Sequence, residues 1–105
     1  MRRLLALLLF AIVLFVACKK SNLDACGANF KSCVGQTSCY AEFACPSGKT
    51  FKLVCTAGLA AKNGEKIGCD CVEDGAIVKK AQVPAAEWSP SDAREAASSA
   101  CGWAR

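Results

Sequence analysis

Nine cysteines and no histidine are the most telling residues of this 105-residue chain. Sulfur in such number has three outlets: structural disulfides, thiol–disulfide exchange, or ligation of a soft metal. Cys69 and Cys71 form the tightest pair, one residue apart in the run Ile67 to Val72. If that run is a strand, both side chains lie on one face. Neighbours so placed are poorly set to bond each other, so the two are expected to take different partners, with Cys101 one candidate. A redox pair or soft-metal clamp at Cys69 and Cys71 is the alternative reading.

Zinc modules space their ligands as CxxC and commonly add histidine. Here the cysteines from Cys26 to Cys101 are separated by six, five, five, nine, thirteen, one and twenty-nine residues. That spacing favours disulfides over a metal, and no cofactor is expected. Without histidine, the Ser-His-Asp and Cys-His nucleophile arrangements are impossible. There is no phosphate-cradling glycine loop. Asp70, Glu73 and Asp74 lie near one hairpin, but nothing marks them as an acid/base pair rather than turn and edge residues. The expectation is a non-enzyme.

The first seventeen residues differ in kind from the rest. Met1, Arg2 and Arg3 are followed by fourteen consecutive apolar residues, Leu4 to Ala17, the layout of a secretory signal peptide. A helix of fourteen residues reaches about 21 Å, short of the ~30 Å hydrocarbon thickness that a permanent span must cross. The core ends Leu14, Phe15, Val16, Ala17, Cys18. An apolar run closing on a small residue and a cysteine resembles the lipobox of bacterial lipoproteins, with Phe15 where Leu is usual. The resemblance covers Leu4 to Lys20 and implies cleavage before Cys18, a diacylglycerol on its thiol and an acyl chain, such as palmitate, on its amine. It also implies a bacterial cell-envelope location. Lys19, standing where Asp would retain a Gram-negative lipoprotein in the inner membrane, points to the outer one.

Three segments follow: signal peptide 1–17, lipidated N-terminus and tether 18–25, and a cysteine-rich domain 26–105. With Cys18 taken by lipid, an even set remains: Cys26, Cys33, Cys39, Cys45, Cys55, Cys69, Cys71 and Cys101. In an exported chain that set reads as four disulfides, of unknown connectivity. They are needed, because a domain of this size has a thin apolar core. Setting Arg2 and Arg3 aside from the thirteen basic residues leaves eleven against nine acidic. The lysines are scattered, without the basic stripe and interleaved aromatics of a nucleic-acid binder, so no nucleic-acid partner is expected. Membrane lipid through Cys18 and an unknown envelope protein are the expected partners.

The elements that must position these cysteines are legible in the domain's periodicity. Cys39, Ala41, Phe43 and Cys45 alternate with Tyr40, Glu42 and Ala44, and beyond Pro46-Ser47-Gly48 the set Phe51, Leu53, Cys55 alternates with Lys52, Val54, Thr56. This predicts an antiparallel hairpin. Ile67 to Val72, the turn Glu73-Asp74-Gly75 and Ala76 to Lys80 predict a second. Cys26 to Cys39 reads as loop with one helical turn around Ala28 to Cys33, Phe30 tucked under the sheet. Val83 to Trp88 reads as a connector. Ser89 as N-cap, Pro90 at the first helical position and Gly102 as terminator frame a closing helix faced by Ala93, Ala96, Ala97, Ala100 and Cys101. The expected fold is a small disulfide-rich α+β domain of about four antiparallel strands in a meander with one C-terminal helix.

Overall fold

A computed structural model describes residues 22–105. Five strands, β1 (Gly27–Lys31), β2 (Ser38–Ala44), β3 (Thr50–Thr56), β4 (Lys66–Glu73) and β5 (Ala76–Pro84), precede a helix, α1 (Pro90–Cys101). The strands form one antiparallel sheet in chain order, so each is hydrogen-bonded to its sequence neighbours. Helix α1 packs on one face of that sheet.

Period-two alternation decides which face is covered. Cys39, Ala41 and Phe43 of β2, Phe51, Leu53 and Cys55 of β3, and Ile67, Cys69 and Cys71 of β4 are all buried. Phe43, Leu53 and Leu23 have no exposed surface, and no polar or charged residue among those described is buried. The opposite face carries Tyr40, Glu42, Lys52, Val54 and Asp70, all half-buried. Glu42 with Lys52 (3.6 Å) and Asp70 with Lys80 (4.0 Å) make ion pairs there. Opposite charges facing each other across antiparallel strands let this face remain in water.

The strand count is five, one more than the periodicity suggests. The Ala28–Cys33 stretch is not a helical turn: Gly27–Lys31 is the edge strand β1, paired to β2 from Gly27↔Ala44 to Lys31↔Tyr40. Only Ala28 and Phe30 of this five-residue strand point inward, too few for an alternation to stand out. Its place is set from outside, by β2 and by the Cys26–Cys45 disulfide at its start. Phe30 therefore belongs to a strand rather than a helical turn, and its side chain packs against the core on the covered face. Strand β5 also continues to Pro84, with Val83 paired to Ile67 and buried. A proline is tolerated at the end of an edge strand, where no partner needs its missing N–H. Between Cys71 and Val72 the β4–β5 register shifts, leaving Val78 as the extra residue of a bulge.

Helix α1 begins and ends as its sequence dictates. Ser89 Oγ accepts from the Asp92 N–H at 3.1 Å while Asp92 Oδ2 accepts from the Ser89 N–H at 3.2 Å, a reciprocal cap that satisfies two otherwise orphaned donors. Gly102, at φ +73°, turns left-handed and donates to the Ser98 carbonyl. Trp103 then folds back until its ring lies 4.9 Å from that of Phe51. Ala93 and Ala97 face the sheet with no exposed surface.

The packed domain starts before Cys26. Leu23–Ala25 form a 3-10 turn, and Leu23 donates its N–H to the Ala104 carbonyl at 3.0 Å. Arg94 of α1 reaches the carbonyls of Leu23 and Cys26 at 3.2 and 3.3 Å. The two ends of the domain are thus held together.

Candidate functional site

The eight cysteines of the described residues pair completely: Cys26–Cys45, Cys33–Cys39, Cys55–Cys69 and Cys71–Cys101. Three of them form a row. In register, Cys39 of β2 faces Cys55 of β3, and Cys55 faces Cys69 of β4. The hairpin through Pro46-Ser47-Gly48 sets the first pairing, its turn closed by Gly48 at φ +87° donating to the Cys45 carbonyl. The row lies on the covered face, and Cys33 joins it from the β1–β2 loop. The Sγ atoms of Cys33, Cys39 and Cys55 all lie within 4.8 Å of one another. All four residues are buried.

Cys69 and Cys71 share the inner face, as their spacing requires, and they take different partners. Cys69 bonds Cys55 directly across β3–β4, whereas Cys71 bonds Cys101 at the end of α1. The structure therefore makes no redox pair or metal clamp of these two. The sulfur group with ligand-like spacing is Cys33, Cys39 and Cys55. Bonded in disulfides, these sulfurs offer no thiolate, the form that binds metal. Cys18 lies outside the described residues. The row Cys39–Cys55–Cys69 escapes a linear reading because it exists only once two hairpin registers are fixed.

A groove of about 540 Å³ runs between the end of β5 and α1. Val83, Trp88, Ala96 and Ala100 supply apolar lining, with Glu87 and Glu95 beside them. At the opposite end of β5, Ile77 and Val78 are exposed, as is Leu59 in the β3–β4 loop.

Lys49 pairs with Glu73 at 2.9 Å. The hydrogen bond and the charge of Glu73 raise the Lys49 ammonium above its ordinary 10.5. Asp74, at φ +49°, accepts from the Thr50 N–H at 2.8 Å and ties the β4–β5 turn to the start of β3. These are contacts that fix a turn and an edge. Among the described residues no helix is long and apolar enough to cross a membrane.

Comparison of the chain with protein-family models, with curated proteins and with solved structures finds no match.

Proposed function

We propose that this protein is a small, non-catalytic module of the bacterial cell envelope, held to its membrane, the outer one, by lipid on Cys18. The observation that carries the reading is the complete pairing of the eight domain cysteines, which leaves the chain's ninth without a partner in the domain. Four disulfides suit an oxidising exported environment. An odd cysteine directly after an apolar leader suits acylation. Lys19 and Lys20 next to it would add about 1 kcal/mol each of attraction to an anionic leaflet.

With the anchor at residue 18 and the packed domain starting at Leu23, the domain works close to the membrane surface. Its role there is recognition or structure. The groove between β5 and α1 is a concave surface available to an envelope protein partner.

Metabolic labelling with radioactive palmitate tests the reading. Label should enter the wild-type chain, remain through detergent extraction, and be lost in Cys18→Ser. A wild-type chain that exports with its disulfides formed but takes no label would overturn it.

A further inference from the structure

We propose that the row Cys39, Cys55, Cys69 is a disulfide-exchange relay, able to hold its bond in either of two positions within the same fold. This stands apart from the lipid anchor and uses none of its residues. The observation is geometric. Cys55 is register partner to both Cys39 and Cys69, on strands that flank β3 from opposite sides. It is bonded to Cys69, yet its Sγ also lies within 4.8 Å of the Cys39 Sγ. A thiolate displaces one sulfur of a disulfide through attack on the other. Cys39, on the side of Cys55 away from Cys69, is placed to make that attack with Cys69 as leaving group.

The row rests in its first state because Cys39 is occupied by Cys33. A dithiol of the thiol–disulfide oxidoreductase class changes that. It gives two electrons and two protons to the Cys33–Cys39 bond, becomes a disulfide itself, and leaves two thiols. The Cys39 thiolate then attacks the Cys55 Sγ. A Cys39–Cys55 bond forms, the Cys55–Cys69 bond breaks, and the electron pair leaves on the Cys69 Sγ, which takes up the proton Cys39 gave up. The second step consumes no oxidant or reductant. Its net effect is to move a thiol from β2 to β4, leaving Cys33 and Cys69 reduced.

The entry end of the relay has a route outward. The loop between Cys33 and Cys39 exposes Gly35, Gln36 and Thr37, so a local opening there uncovers the entry bond.

The test is graded reduction of the full chain carrying Cys18→Ser, which removes the ninth thiol. Limiting dithiothreitol, an acid quench, N-ethylmaleimide and tandem mass spectrometry then locate bonds and labels. Intermediates with two labels should include a species labelled on Cys33 and Cys69 that contains a Cys39–Cys55 bond. Two-label intermediates that all carry their labels on Cys33 and Cys39, with Cys55–Cys69 intact and no Cys39–Cys55 bond in any of them, would overturn the relay. If reduction is all-or-none, adding Cys33→Ser decides. That variant should divide its label between Cys39 and Cys69 within about tenfold, as near-equivalent disulfides exchange, whereas label on Cys39 alone refutes the proposal.

Discussion

Cys71 and Cys101, thirty residues apart in sequence, are bonded with their Cα atoms 5.8 Å apart, and this bond fastens the end of α1 to strand β4 of the sheet. The helix needs it. Its two fully buried side chains are Ala93 and Ala97, which bring little apolar area to the interface. Small residues allow close approach, and the bond converts that approach into attachment.

Removing this bond should therefore cost more than removing the short one in the β1–β2 loop. Constraint of the unfolded chain grows with the loop that is closed. It gives about 3–4 kcal/mol for the 30-residue separation of Cys71→Ala/Cys101→Ala and about 2 kcal/mol for the 6-residue separation of Cys33→Ala/Cys39→Ala. Urea unfolding midpoints of the two double variants should fall in that order. Equal midpoints would mean that the helix is held by packing alone.

Leu53 lies at the middle of β3 with no exposed surface, between Ala41 and Cys71. Leu53→Ala leaves a cavity that flanking strands tied by disulfides cannot collapse to fill. The expected loss is about 2–5 kcal/mol by denaturant titration, with the four bonds still forming. A loss under about 1 kcal/mol would show that the core relaxes around the gap.

The reciprocal cap of Ser89 and Asp92 predicts a local effect. Ser89→Ala removes one acceptor for an orphaned N–H at the start of α1 and should cost about 1 kcal/mol. Amide hydrogen exchange should quicken at Asp92 and its neighbours while the strand amides stay protected. Uniform acceleration through the sheet would contradict a local cap.

The Lys49–Glu73 pair predicts a pH effect of known sign. The folded ammonium titrates above 10.5 because Glu73 favours the charged form. Its contribution is complete below that ordinary value and disappears as pH rises through the higher folded one. Glu73→Gln should lower the Lys49 titration observed by NMR at the side-chain nitrogen. An unchanged titration would mean that the pair does not persist in solution.

Much of this architecture was legible in the sequence, wherever a local rule speaks for itself. Alternation over Ser38 to Thr56 marks β2 and β3, because the side-chain period of a strand is two and one face must be dry. Ser89, Pro90, Asp92 and Gly102 mark both ends of α1, because each answers a backbone requirement within a few residues. Cys69 and Cys71 had to take different partners for the same local reason. β1 was not legible, since a five-residue edge strand with two inward residues follows its neighbour more than its own pattern. The end of β5 was missed likewise: Val83 belongs to the sheet only because Ile67 lies across from it.

Residue types and their local order thus determined how many sulfurs the domain has, which face they occupy and where the helix starts and stops. The tertiary structure alone decided which sulfur meets which. That choice depends on registers and on the docking of α1, contacts between residues far apart in the chain. Cys55 illustrates the difference: the sequence places it on the inner face, but only the assembled sheet sets it between Cys39 and Cys69.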